Sequence, residues 1–235
     1  IIIGRDTRIS GNLFESALAT GICSAGGRVE IVGVCPTPAI AYLARTHGAA
    51  AGIVISASHN PFYDNGIKFF GGDGYKLPDA TEDEIEKLVR RMEAGEKLPR
   101  ATREHIGTIK RRKEYVREYI DFVQGTAGVR LDGMKVVLDC ANGAAYDCMP
   151  RVLRRLGADV HVIHAEPDGV NINEACGSTH LESLQKTVLA DGADIGIAHD
   201  GDADRCLCVD EKGEVIDGDH ILVMCAQDMM EKGTL

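Results

Sequence analysis

Two short segments concentrate the residues able to do chemistry. Asp200-Gly201-Asp202-Ala203-Asp204-Arg205 sets three carboxylates at alternate positions. Ser56-Ala57-Ser58-His59-Asn60-Pro61 is a polar run directly behind the apolar stretch Ala51–Ile55. Three aspartates converge on one point if their loop curls, and carboxylates that close do not all stay ionised without a cation. Oxygen-only donors select Mg²⁺, Ca²⁺ or Mn²⁺ over zinc or copper. Counted from Asp200, an EF-hand loop is partly matched, with Asp at positions 1, 3 and 5 and Glu211 at position 12. It fails at position 6, where Arg205 replaces the glycine of the sharp turn, and the flanks read as strands. The bland alternatives are an exposed acidic turn and a Ser/Asn turn that satisfies its own backbone.

A serine can carry a phosphoryl group, whose oxygen would join three carboxylates around one ion. A phosphoserine adds up to about −2. With three aspartates and a divalent cation, the site is left at about −3. Nearby cations are therefore needed, and Lys68, ten residues beyond Ser58, and Arg205, beside the aspartates, can supply them.

The surrounding elements have to hold these loops. Strand-like and helix-like runs alternate along the 235 residues, predicting two consecutive α/β domains with mixed, largely parallel sheets. Strands are expected near Ile1–Ile3, Val29–Val34, Ala51–Ile55, Ile67–Phe70, Lys135–Leu138, Val160–Ile163, Ile195–Ala198, Cys206–Val209 and Glu214–Ile216. Ser10, Asp219 and a Thr81-to-Glu84 capping box are expected to start helices. The mixed stretch after Gly95 predicts a division into residues 1–103 and 104–235. In such sheets ligands gather beyond the carboxyl ends of strands. Both chemical loops lie at such ends, after Ile55 and after Ala198.

Composition narrows the class. Apolar residues make up 44% and charged residues 26%, enough for an ordinary core. No apolar run approaches the roughly 18 residues of a membrane span. With 26 basic against 36 acidic residues the net charge is −10, which argues against nucleic acid or an anionic membrane as main partner. The basic stretch Arg100–Arg117 reads as a solvated face. Eight cysteines form no C-x-x-C pair and no zinc spacing, which suits a reduced cytoplasmic protein. The start at Ile1-Ile2-Ile3, a strand already under way, reads as a fragment missing its N-terminus.

Together these motifs resemble the α-D-phosphohexomutases. The serine segment with Asp64-Asn65-Gly66-Ile67-Lys68 is similar to their phosphoserine loop, and Asp200–Arg205 to their metal loop. Gly4-Arg5-Asp6-Thr7-Arg8-Ile9-Ser10-Gly11 and Cys35-Pro36-Thr37-Pro38 match two further segments. Phe62–Phe70 and Gly169-Val170-Asn171-Ile172-Asn173 look most like the bacterial members that interconvert glucosamine 6-phosphate and glucosamine 1-phosphate on the route to UDP-N-acetylglucosamine. The resemblance implies Ser58 as phosphoserine and Asp200, Asp202 and Asp204, with Ser58, as ligands of one Mg²⁺. It further implies Lys68 and Arg205 in phosphoryl transfer, with Lys68 moving a proton, and His59 orienting the serine loop. Glucosamine 1,6-bisphosphate would be the activator and intermediate, reorienting between half-reactions.

The family's sugar-binding and C-terminal phosphate-binding domains would lie beyond Leu235, so the chain alone is expected to be inactive. His199 departs from the family pattern and either perturbs the aspartates or packs. A small phosphosugar is the expected partner, with no nucleic acid, no membrane and the oligomeric state left open. Competing readings are a phosphomannomutase or phosphoglucomutase, a serine-phosphatase-like hydrolase, and a non-catalytic metal-binding domain.

Overall fold

The computed structural model describes all 235 residues, Ile1 to Leu235. The first sheet is built from β1 (Ile2–Arg5), β2 (Val29–Val34), β3 (Ala51–Ile55), β4 (Ile67–Gly71) and β5 (Ile109–Arg111), in the order β4-β3-β1-β2-β5. The second uses β6 (Lys135–Asp139), β7 (Asp159–Ile163), β8 (Ile195–His199), β9 (Cys206–Asp210) and β10 (Val215–Ile216), in the order β10-β9-β8-β6-β7. All neighbours are parallel except β4 on β3 and the β8-β9-β10 meander, so both sheets are mixed.

Side chains alternate across each strand, and helices cover both faces. Ile3, Ile31, Ile53 and Ile55 pack against Ala19 and Cys23 of α1 (Gly11–Ser24). Ile2, Val32 and Val54 pack against Ala39, Ile40 and Leu43 of α2 (Thr37–Thr46). In the second sheet Val136 and Leu138 meet Leu153 of α5 (Cys148–Leu156), and Val137 and Ala198 meet Leu184 and Val188 of α6 (Glu182–Asp191). Two further helices, α3 (Asp79–Glu93) and α7 (Gly218–Glu231), bury no residue.

One helix joins the two halves. In α4 (Glu114–Thr126), Tyr115 and Tyr119 enter the first sheet's core, while Ile120 packs on Cys148, Val152 and Leu156 of α5. Each such buried apolar side chain contributes roughly 1.5–3 kcal/mol. The two stripes of α4 thus fix how the sheets face each other, and with them the two loops.

Several local expectations are corrected. Ser10 sits at the start of α1 without capping it; its hydroxyl donates to Asn65 Oδ1 at 2.5 Å. The third helix begins at Asp79 with the extended Pro78, ψ 143°, as its cap residue, which leaves Thr81 already inside the first turn. In α7 the cap is Asp217, whose carboxylate accepts from the amides of Asp219 and His220. The strand β5, beyond the expected division at 103/104, is added to the first sheet by pairing with β2.

Candidate active site

The two chemical loops occupy equivalent positions. Each follows a parallel strand, β3 or β8, and leads into that strand's antiparallel neighbour, β4 or β9. They meet across the cleft. Ser58 Oγ donates to Asp200 Oδ2 at 2.7 Å. A hydroxyl held against a carboxylate can lose its proton as its oxygen attacks, which is how a weak serine nucleophile is activated.

The serine backbone is unusual. Ser58 has φ of 53°, the left-handed region that non-glycine residues rarely adopt. A hydrogen-bond frame holds it there. The Ser58 amide donates to Ser56 Oγ at 2.9 Å, and that hydroxyl donates to Asp6 Oδ2 at 2.7 Å. Arg8, itself buried and paired with Asp6 at 2.9 Å, donates to the carbonyls of Ser58 at 3.0 Å, Asn60 at 2.8 Å and also Pro61. Asn173 donates to the Ser58 and Asn60 carbonyls from the other half, at 2.9 and 3.1 Å.

Sequence reasoning gave the orienting part to His59, which is exposed and makes no side-chain hydrogen bond to the loop. Its ring instead lines an open cavity of about 440 Å³ with Phe62, Tyr63 and His180. Arg8 and Asn173 take that part. The signal for them in the sequence is an arginine inside an early polar loop and the Asn171-Ile172-Asn173 run.

The aspartates converge as their spacing predicted. Ligand oxygens of Asp200, Asp202 and Asp204 lie within 4.8 Å of one another. Asp200 and Asp202 have no exposure, whereas the Asp204 side chain is 35% exposed. Burial pushes the Asp200 carboxyl up; the Ser58 hydroxyl opposes this, and repulsion from Asp202 and Asp204 adds to it. Burial would do the same to Asp202, but Lys68 and Thr37 outweigh it and hold that carboxyl below its ordinary value. Lys68, on β4, reaches Asp202 Oδ2 at 2.6 Å and Asp204 Oδ2 at 3.1 Å. Although burial disfavours its charge, the two carboxylates hold the ammonium above its usual value.

The residues present fit a divalent cation. Asp202 Oδ1 is buried with no hydrogen-bond partner, and Asp202 is one of the three aspartates whose carboxylates converge. An orphaned carboxylate oxygen costs full desolvation unless something fills its place. Arg205 stands further off, its Nε 3.8 Å from Asp200 Oδ2 and 3.9 Å from Asp204 Oδ1, and its amide donates to Asp200 Oδ1 at 3.3 Å. His199 is buried behind the loop with Nδ1 3.1 Å from the Arg205 carbonyl, and desolvation keeps its imidazole below the usual value. It packs as a neutral ring against the loop.

Glycine makes the close approach of the two loops feasible. A Cβ on Gly201 would lie 2.6 Å from the Ser58 carbonyl oxygen and 2.7 Å from Asn173 Nδ2.

Comparison with known proteins shows the family. Residues 1–96 match the family model described as phosphoglucomutase/phosphomannomutase, alpha/beta/alpha domain I, and residues 113–213 match domain II. The chain belongs to this family, the α-D-phosphohexomutases. Phosphoglucosamine mutase from Pelotomaculum thermopropionicum is 57% identical over the whole chain, and that of Moorella thermoacetica 56%. In both cases the chain spans about half, 52%, of the relative's length. A crystal structure of a phosphoglucomutase/phosphomannomutase family protein from Burkholderia thailandensis matches with a TM-score of 0.82 at 27% identity, over 99% of this chain and 51% of that one. The Aspergillus fumigatus N-acetylphosphoglucosamine mutase, solved with GlcNAc-6P and magnesium, shares the fold at 18% identity and a TM-score of 0.55, over 89% of this chain and 51% of its own. No helix is long and apolar enough to cross a membrane.

Proposed function

We propose that this phosphohexomutase chain is the phosphoserine- and metal-bearing half of a phosphoglucosamine mutase. Its reaction would be the interconversion of glucosamine 6-phosphate and glucosamine 1-phosphate through glucosamine 1,6-bisphosphate. The observation that carries the proposal is the 2.7 Å contact between Ser58 Oγ and Asp200 Oδ2, which joins the nucleophile loop to the aspartate loop. The names of relatives above 50% identity along the whole chain support the sugar.

Ser58 gives and receives the phosphoryl group, held in place by Arg8 and Asn173. Asp200, Asp202 and Asp204 would hold one Mg²⁺, with an oxygen of the phosphorylated Ser58 as fourth ligand. When bound, that ion supplies positive charge against the phosphoryl oxygens, the main electrostatic need of phosphoryl transfer. Lys68, kept charged by its two carboxylates, neutralises phosphoryl charge and can give a proton to a leaving sugar oxygen. The guanidinium of Arg205 screens the remaining negative charge from the mouth of the cleft. His59 has no part in holding Ser58 and is free to meet the sugar from the adjoining cavity. The substrate is a small phosphosugar, and the eight unpaired cysteines suit the reducing cytoplasm.

The test is intact-mass analysis after incubation with Mg²⁺ and glucosamine 1,6-bisphosphate. The wild-type chain should gain one stable phosphoryl group, and Ser58→Ala none. Release of inorganic phosphate in place of a stable adduct would favour a hydrolase and overturn the proposal. The 235-residue chain by itself should take up the phosphoryl group without mutase turnover, because gripping both ends of a bisphosphate needs anchors beyond these two loops.

A further inference from the structure

A second set of metal-type donors lies at the ends of the second sheet's strands, outside the aspartate loop. Asp139 closes β6, His164 follows β7, and Cys176 precedes the short helical turn Gly177–Thr179. Their carboxylate oxygen, imidazole nitrogen and thiol sulfur lie within 4.8 Å of one another. Asp139 and Cys176 are wholly buried, and the His164 side chain, 29% exposed, connects the cluster to solvent. None of the three touches Ser58 or the three aspartates through a hydrogen bond.

The cluster is short of partners. Asp139 Oδ1 accepts from the Ala141 amide at 2.8 Å and Oδ2 from the Gly177 amide at 2.9 Å, two neutral donors for a fully buried carboxylate. His164 Nδ1 lies 3.0 Å from Asp139 Oδ2, yet the pair is not aligned as a hydrogen bond and Nδ1 is buried without a partner. The two groups thus approach closely without a hydrogen bond between them, an arrangement that a shared cation would satisfy. Donors around a tetrahedral zinc stand roughly 3.2–3.8 Å apart, given bond lengths near 2.0–2.3 Å. A small rotation of the side chains therefore closes the set.

The donor chemistry differs from that of the aspartate loop. One oxygen, one nitrogen and one sulfur favour zinc-like ions, whereas the all-oxygen loop favours magnesium. We propose that Asp139, His164 and Cys176 form a second, zinc-type metal site, with a fourth position open to water beside His164. Coordination replaces the thiol proton, which leaves to solvent. The ion would tie the end of β6 to the segment after β7 and to residues 171–179. That last segment carries Asn173, which holds the Ser58 carbonyl. Occupancy would thus stiffen the frame behind the nucleophile.

The test uses Co²⁺ as a spectroscopic probe for zinc, titrated in excess Mg²⁺ so that the oxygen site is filled. The wild-type chain should show a thiolate-to-cobalt charge-transfer band saturating at one equivalent and displaced by Zn²⁺. Cys206→Ser should retain the band, and Cys176→Ser should lose it. His164→Gly, which suits the φ of 49° at that position, should keep the fold and bind at least about tenfold more weakly. Zn²⁺ should raise the melting temperature of the wild type and not of His164→Gly. Absence of a thiolate band at one equivalent, or a band that survives both Cys176→Ser and His164→Gly, overturns the proposal. If Cys176→Ser does not fold, His164→Gly decides alone.

Discussion

Lys68 stands on β4 of the first sheet and Asp202 in the loop after β8 of the second, yet the lysine ammonium sits 2.6 Å from Asp202 Oδ2. The contact places a positive charge where the three aspartates most need one. It also makes Lys68 a competitor of any cation for the same oxygen.

Lys68→Met should therefore separate two quantities. Mg²⁺ should bind at least as tightly as in the wild type, since the competing charge is gone, while phosphorylation of Ser58 slows. Without Mg²⁺ the variant should lose about 1–2 kcal/mol of stability. That is less than the cost of breaking a fully buried pair, because Lys68 is one-third exposed. Calorimetry with Mg²⁺ and chemical unfolding with and without it would check both. Weaker Mg²⁺ binding would mean that the lysine supports the ion and does not compete with it.

Asp202→Asn should leave the fold in place and weaken Mg²⁺ binding. A direct ligand should cost at least the roughly 10–100-fold that outer partners of metal sites cost. The asparagine can still accept from Thr37, whose hydroxyl lies 2.5 Å from Asp202 Oδ2. Isothermal calorimetry measures the affinity, and an unchanged value would remove Asp202 from the ligand set.

Gly201→Ala should force the two loops apart. The added methyl meets the Ser58 backbone at 2.6 Å, and backbone gives way less readily than a side chain. Overpacking of this kind costs about 1–3 kcal/mol. Phosphorylation of Ser58 should slow more than global stability falls, a difference seen by comparing labelling rate with the urea midpoint. Wild-type labelling in this variant would show that the loops tolerate a wider gap.

Glu30 gives a pH-dependent link between the first sheet and α4. It accepts from Tyr115 Oη at 2.5 Å and from Arg112 Nη2 at 2.9 Å. Burial alone would raise its carboxyl, but these partners outweigh it and hold it below the ordinary value of 4.5. A folded-state value below the unfolded one stabilises the protein at pH above about 4.5 and is lost as pH falls through the lower folded value. Glu30→Gln should thus lower the melting temperature at neutral pH, with the difference from wild type shrinking towards pH 3. A difference independent of pH would show that the charge of Glu30 is not what joins the two elements.

The chemistry of the site was legible in the sequence because it is local. Three aspartates at alternate positions converge through the geometry of a single loop. A serine directly behind a buried strand is presented at that strand's end. Short continuous apolar runs likewise located the strands, since helices cover both faces of each sheet. The helix starts were less legible: Ser10, Thr81 and Asp219 all fit capping patterns. Side-chain partners elsewhere, or a nearby proline or aspartate, won those positions.

What tertiary structure decided is which distant groups meet. Nothing in the spacing of Arg8, Ser58 and Asn173 says that they share two carbonyl oxygens: Arg8 reaches them across about 50 residues within the first half, and Asn173 across more than 110 from the second, a contact that depends on how the sheets face each other. That orientation is set by α4, whose tyrosines and Ile120 are buried in two different cores. The family resemblance implies an orienting role for His59, yet its side chain is exposed at the adjoining cavity, next to the left-handed turn at Ser58. The same holds for Asp139, His164 and Cys176, spread over 38 positions with no recognisable spacing. Only the folding of β6, β7 and the following segment brings them together, because burial and convergence are properties of the packed chain.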